Sequence, residues 1–307
     1  MTLQACPPTP GHSQAIQAGP FDGEARVQLQ PFKGGLLKWV GSKLQMAHEI
    51  GRYFPTDFGT YFEPFLGSAA VMGTLRPARG LGSDAFGPVV EIWQTLRENP
   101  KKLKTWYRDR YLELNRGDKT EQYEKIKARY NASQNGADLL FLCRSCYAGI
   151  VRFRQKDGYM STPCGPHKPM PPEKFAVRVD DWHARTAGCS FHLMDYREAM
   201  DLAKAGDFIY CDPPYTHSQG ILYGAQQFKL ADLFEAIDRC RSRGVKVALS
   251  IDGTKRSGTH TCEIHLPEGL FEEEVLIDCG RSMLRRLQLG GQSLESEVVA
   301  DRLLLTY

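Results

Sequence analysis

No apolar run in this 307-residue chain approaches the ~20 residues of a membrane-spanning helix. A secretory signal is also missing. The segment Met1 to Pro20 is polar and rich in Pro, Gly and Gln, without the apolar stretch that a signal needs. The cysteines make no disulfide framework, because all nine are scattered through a large chain and their number is odd. A reduced, cytoplasmic protein without membrane contact is the expectation. Net charge is small as well, +3, so bulk charge points to no partner. What is present is a globular balance: 42% hydrophobic and 24% charged residues in 34.6 kDa, enough for one large domain or two ordinary ones.

The charge is unevenly placed. Between Lys101 and Asp180 there are 17 Lys and Arg against 9 Asp and Glu, a net of +8. A basic middle within an otherwise mildly acidic chain is a candidate polyanion surface; the plainer reading is a solvated face with surplus lysines.

Outside that middle, short apolar runs alternate with helical periodicity. Thr60 to Glu63 reads as a strand, Ala69 to Leu75 as the start of a helix, and Leu81 to Asp84 as a second strand. Val89, Ile92, Trp93 and Leu96 share one helical face. From Pro100 to Pro172 the alternation stops. Tyr123 to Tyr130 and Ala137 to Tyr147 read as helices. Ile150 to Arg154 and Gly158 to Ser161, flanking Gln155-Lys156-Asp157, read as a hairpin, and a proline-rich loop runs to Pro172. Strand, helix, strand then resumes with Ser190 to Met194, Tyr196 to Lys204 and Phe208 to Cys211. A helix carrying Leu230, Leu233, Phe234, Ile237 and Cys240 ends at Gly244, and a strand covers Val245 to Ile251. The last two strands, near Glu273 to Cys279 and Val298 to Tyr307, read as antiparallel.

Repeated strand–helix units imply an α/β fold with a mostly parallel sheet covered on both faces. Ligands of such sheets lie beyond the carboxyl ends of the strands. Glu63, Asp84, Asp195 and Asp212 all fall at predicted strand ends, so one rim gathers four acids.

The most informative of these tips is Asp212-Pro213-Pro214-Tyr215. The prolines stiffen the turn and remove two N–H donors. Asp212 and the Pro213 carbonyl are left as acceptors, with Tyr215 as a flat stacking surface. That set suits a planar substrate bearing an amino group, such as adenine; an ordinary turn is the bland alternative. Upstream, Glu63-Pro64-Phe65-Leu66-Gly67-Ser68 is a strand-to-helix turn, and Asp84 follows at about the spacing at which an acid holds ribose hydroxyls.

Together these motifs resemble the Dam-like group of S-adenosylmethionine-dependent DNA adenine-N6 methyltransferases, in their α arrangement. Leu37-Lys38-Trp39-Val40-Gly41-Ser42-Lys43 resembles that group's amino-terminal cofactor segment. Arg144-Ser145-Cys146-Tyr147-Ala148-Gly149-Ile150-Val151-Arg152 resembles the entry to its DNA-recognition domain, and Val298 to Tyr307 its closing strand. The resemblance runs from about Gly34 to Tyr307. It implies a Rossmann-like methyltransferase sheet with a terminal antiparallel hairpin, interrupted by a mainly helical recognition insert. The implied division is a flexible leader over 1–32, a catalytic domain over 33–95 and 173–307, and a recognition domain over 96–172.

The resemblance also implies roles. Trp39, Lys43, Glu63, Phe65, Gly67, Ser68, Asp84, Asp195, Tyr196 and Asp212 border S-adenosylmethionine, with Lys43 near its methionine carboxylate and Asp84 on the ribose. Asp212, Pro213, Pro214 and Tyr215 receive a flipped-out adenine of double-stranded DNA. Lys38, Arg152, Arg154 and Lys156 face DNA. A monomer in solution is implied, with a cognate restriction endonuclease as a candidate partner. Two positions depart from the family. Ala69 replaces a second glycine, which an alanine tolerates if φ is negative. Tyr147-Ala148-Gly149 replaces Phe-Asn-Gly, so the target sequence is not carried over.

Transfer to cytosine N4 or to a protein amide, and a catalytically silent DNA-binding protein, are the rival functions. Cys143-x2-Cys146 with Cys164-x2-His167 has zinc-ribbon spacing, but buried thiols are preferred and no metal is expected.

Overall fold

The computed structural model describes residues 28–154, 156–214, 228–255, 260–261, 264–281 and 298–307. Residues 1–27 of the expected leader, Gln155 of the expected hairpin turn, and Tyr215 lie outside these. Five apolar segments form parallel strands: β1 (Tyr61–Glu63), β2 (Gly80–Asp84), β3 (Cys189–Leu193), β4 (Phe208–Cys211) and β5 (Lys246–Lys255). The short β6 (His260–Thr261) pairs with β5. β7 (Glu273–Arg281) and β8 (Val298–Leu305) complete the sheet, β8 running antiparallel to both β5 and β7. The order is β3-β2-β1-β4-β5-β8-β7. From β1 the chain builds outward through β2 and β3, then crosses back to place β4 on the other side of β1. The crevice between the ends of β1 and β4 is therefore the topological switch point, where open α/β sheets bind ligands.

All four residues of β4 are buried, as befits a strand covered on both faces. Phe208 and Tyr210 face one layer with Tyr61, Ala248 and Leu303, while Ile209 and Cys211 face the other with Phe62, Val247 and Leu249. Helices α1 (Ala47–Ile50), α2 (Ala70–Leu75) and α3 (Gly87–Glu98) surround the first half of the sheet. Val89, Ile92, Trp93 and Leu96 of α3 are buried, as their spacing predicts.

Between β2 and β3 the chain continues from α3 into α4 (Pro100–Leu114), α5 (Lys119–Ala132), α6 (Gly136–Ser145) and α7 (Pro172–Arg185). Asn99, Asp118 and Asn135 cap three of these, each side chain accepting from a first-turn N–H. Neither α4 nor α7 was expected. Both open on proline, which sequence reading takes for a breaker but which fits the first helical turn, where the N–H has no partner to lose. α6 ends at Ser145, two residues before the expected Tyr147. The expected hairpin is short: Phe153 bridges Met160, Arg154 N–H donates to Tyr159 O and Ser161 N–H to Arg152 O (both 2.9 Å), and Cys146 bridges Cys164 beyond it. α8 (Tyr196–Asp201) and α9 (Leu230–Ser242) cover the second face; Gly244, at φ +77°, turns the chain from α9 into β5.

The segment before Lys43 is held by the interrupting helices. Trp182 Nε1 donates to Gly34 O (2.6 Å), Arg178 to Gly35 O (3.0 Å) and Arg144 to Leu36 O (2.8 Å). These carbonyls belong to no strand, and buried carbonyls without donors are costly.

Trp182 also packs on Trp93 (centroids 5.1 Å apart) and lies over Gly73 of α2. A Cβ at position 73 would strike its ring. Helix propensity would return about 1 kcal/mol for Gly73→Ala, but overpacking a rigid indole costs about 1–3 kcal/mol. We therefore expect Gly73→Ala to lower stability by up to about 2 kcal/mol in denaturant titration. A gain would show that the two tryptophans move aside freely.

Candidate active site

Each acid at the rim obtains its donors differently. Glu63, at the tip of β1, accepts from the Tyr61 hydroxyl and from the Met72 N–H, both at 2.8 Å. The latter is a first-turn amide of α2 with no partner inside its helix. Burial pushes Glu63 up to about 8, against these two donors, and the nearby Asp212 charge adds to the rise. Asp84, at the tip of β2, accepts from Gly67 N–H and Phe86 N–H, both at 2.9 Å. Burial raises its pKa as well, while these amides pull it down. The acid expected beneath a ribose thus also braces the turn after β1.

That turn is tight. Gly67 sits at φ +43°, and a Cβ there would come within 3.0 Å of Trp39 Nε1. Its carbonyl accepts from Trp93 Nε1 at 2.9 Å, and Ser68 Oγ donates to Ser42 Oγ at 2.8 Å. Ala69 corrects an expectation: its φ is +49°, not negative. An alanine there carries about 1–2 kcal/mol of left-handed strain. The Ala69 N–H closes the turn onto Leu66 O at 2.6 Å, which holds the residue in place.

Asp195 caps α8 through the Arg197 N–H. Tyr196 stacks on Phe65 with centroids 5.1 Å apart, and Phe228 stands edge-on to both. The Tyr196 hydroxyl is buried without a hydrogen-bond partner among the described residues. At the tip of β4, Asp212 Oδ1 lies 2.8 Å from Lys43 Nζ, whose ammonium also reaches Asp301 Oδ2 at 3.2 Å. Lys43, expected near a methionine carboxylate, thus has its charge on the Asp-Pro-Pro tip.

All of these line one cavity of about 660 Å³. Trp39, Lys43, Glu63, Phe65, Gly67, Ser68, Asp84, Asp195, Tyr196 and Asp212 meet there, with Pro213 and Pro214. Four lining aromatics were not among the expected site residues: Phe86, Phe153, Tyr210 and Phe228. No motif marks them. Phe153 arrives from the interrupting region and meets Phe86 edge-on at 5.5 Å.

The four expected DNA-facing cations lie outside this cavity. Lys38 is exposed, its stem against Gly149. Arg152 is half-buried and Lys156 exposed. Arg154 is bound bidentately by Asp157 (3.1 and 2.7 Å) and lies 4.2 Å over the Tyr159 ring. Among the described residues, Cys143, Cys146, Cys164 and His167 form no three-ligand group. Burial pushes the Cys143 and Cys146 thiols up to about 11 and about 12.

An open, mostly parallel sheet with acids at adjacent strand tips, a glycine turn after β1 and Asp-Pro-Pro after β4 is a Rossmann-like methyltransferase. The family described as D12 class N6 adenine-specific DNA methyltransferase matches residues 39–274, and the chain belongs to it. The type II methyltransferase M1.LlaDCHI of Lactococcus lactis subsp. cremoris is 26% identical over 246 residues, covering 73% of this chain and 82% of the relative. A DNA adenine methylase of Vibrio cholerae is 25% identical over 246 residues (75% and 83% of the two chains). Another, of Serratia marcescens, is 28% identical over 209 residues (64% and 73%). The protein is an adenine-specific DNA methyltransferase acting at N6, which sets aside cytosine N4 and protein amides as acceptors. No described helix is long and apolar enough to cross a membrane.

Glu63 yields a pH prediction. The folded protein holds its proton up to about 8, while the unfolded chain releases it near the ordinary value of 4.5. Stability from this group is therefore complete in acid and is lost as pH rises through about 8. Relative to Glu63→Gln, the wild type should lose about 1–3 kcal/mol between roughly pH 5 and pH 8. Denaturant titrations at several pH values check this; parallel curves for the two proteins would contradict it.

Proposed function

We propose that the methyl donor is S-adenosylmethionine, bound in the cavity along Glu63–Ser68, Asp84, Asp195 and Tyr196, and that Asp212 receives a flipped-out adenine of double-stranded DNA. The observation that carries this reading is the meeting of Asp212-Pro213-Pro214 with the glycine turn in one cavity at the switch point. The cavity fits an adenosyl group on three counts. The Phe65–Tyr196 pair offers aromatic faces, the orphaned Tyr196 hydroxyl needs a partner, and the Asp84 oxygens keep lone pairs beyond those given to backbone amides.

S-adenosylmethionine supplies an electrophilic methyl group on a sulfonium. The chain's residues prepare the amine that attacks it. The adenine amino nitrogen is a poor nucleophile, because its lone pair is delocalised into the ring. Asp212 and the Pro213 carbonyl accept its two N–H bonds and favour a pyramidal nitrogen with a localised lone pair. Proline at 213 and 214 leaves no backbone N–H there to compete. Catalysis is then positioning plus electrostatics. A base inside a duplex cannot reach this depth, so it leaves the stack, and Tyr215 is the proposed stacking partner.

We divide the chain as a catalytic part over 33–95 and 173–307 and a recognition part over 96–172, in a protein that is a monomer in solution. Lys38, Arg152, Arg154 and Lys156 are its proposed DNA contacts. The type II name of the Lactococcus lactis relative supports a place beside a restriction endonuclease.

Asp212→Ala should cut the single-turnover rate by about 10²-fold or more while leaving the fold and DNA binding intact. Near wild-type turnover would remove Asp212 from the chemistry. For DNA, Arg152→Ala should relax discrimination at one base pair by about 1–3 kcal/mol. Arg154→Ala should do less, since Asp157 already occupies its guanidinium edge. Methylation rates on the cognate site and its single-base variants separate the two, and equal weakening on all sites would make Arg152 a phosphate contact.

A further inference from the structure

Asp301 lies in the closing strand, and its carboxylate reaches the ammonium that faces the Asp212 tip. It reaches there from β8, whose antiparallel course brings its first half beside the carboxyl end of β5, in register Leu249 with Leu304 and Asp252 with Asp301. Lys43 Nζ lies between Asp212 Oδ1 at 2.8 Å and Asp301 Oδ2 at 3.2 Å. The lysine side chain is 5% exposed and the two aspartates 19% and 13%, so solvent screens this triad weakly.

An ammonium facing Asp212 alone would place its full charge on the acceptor that the adenine amine needs. It would also be free to swing into the cavity. A second carboxylate divides that charge and fixes the ammonium in position. We propose that Asp301 is a positioning residue for methyl transfer: it holds Lys43 between two carboxylates, so that Asp212 is both fixed and electron-rich. This rests on the reading of Asp212 as acceptor of the target amine.

Among the described residues, Glu63 from β1, Tyr210 and Cys211 from β4, and Asp252 from β5 also face the triad. The Tyr210 hydroxyl is engaged by Ser250 at 2.9 Å. These are unchanged by substitution at 301, so removing one negative charge has a defined direction. Protonation beside Asp212 becomes harder, and the acid limb of the rate profile moves to lower pH.

The test uses the full-length protein with S-adenosylmethionine and duplex DNA. Asp301→Asn should lower the single-turnover rate about tenfold, a coupling ordinary for members of one hydrogen-bonded network. It should also move the acid limb down in pH. Asp301→Glu, which keeps the charge, should restore part of the rate. In a Lys43→Gln background, Asp301→Asn should add nothing, because its effect passes through the lysine. The proposal is overturned if Asp301→Asn keeps the wild-type rate and pH profile, or if its loss persists undiminished without Lys43. Should Asp301→Asn fold poorly, Asp301→Glu in both backgrounds decides by the same comparison: a rate change that vanishes without Lys43 supports the proposal, and one that persists overturns it. Asp212→Ala measured alongside keeps the two ideas apart. If it retains the rate, the acceptor reading fails; if it loses the rate while Asp301→Asn does not, only the role of Asp301 fails.

Discussion

A carboxylate at the end of a buried strand loses water that only strong donors can replace. In this sheet the requirement is met at Glu63, Asp84 and Asp212, each time from a different source, while Asp195 beside them stays about 43% exposed. Glu63 takes a phenol and a first-turn helix amide, and holds its proton to about 8. Asp84 takes two loop amides, one of them from the glycine turn. Asp195 takes an amide of the helix it caps. Asp212 has no backbone donor in Pro213 or Pro214 and is met by a lysine. The donors decide what each acid can do next. Glu63, Asp84 and Asp195 are each tied to backbone amides of the scaffold, while Asp212 is tied to the Lys43 ammonium.

The same need for donors ties the interrupting helices to the catalytic rim. Gly34, Gly35 and Leu36 present carbonyls that no strand satisfies, and Arg144, Arg178 and Trp182 answer them from α6 and α7. A few residues further on lie Lys38, Trp39 and Lys43. The segment that carries Trp39 and Lys43 to the cavity is thus fastened by α6 and α7. Phe153 enters the cavity wall from the same region.

Most of the sheet was legible because its strands are short apolar runs ending in acids. β4 begins and ends where its pattern predicts, and α3 buries the four residues its period selects. The failures have physical causes. α4 and α7 start on prolines that look like breakers until the missing N–H is placed at a helix start. The hairpin pairs over only a few residues, because the side chains of Asn131 and Thr162 take backbone groups of Met160 and Arg152. Ala69 is left-handed against its own preference because the turn between Leu66 and α2 requires it.

The sequence by itself determined the chemistry available: four acids at strand ends, two prolines after one of them, a glycine turn and a basic middle. Local period and composition carry that information, since they report which face is buried and where a strand stops. Only the tertiary structure decided which groups meet. Lys43 finds Asp212 and Asp301 across separations of well over a hundred residues. Strand order puts β4 beside β1, and an antiparallel β8 carries Asp301 back to the rim. A residue's own neighbourhood in the chain says whether it faces the core or the crevice; the group standing opposite is fixed by the order and direction of strands, which no local pattern contains.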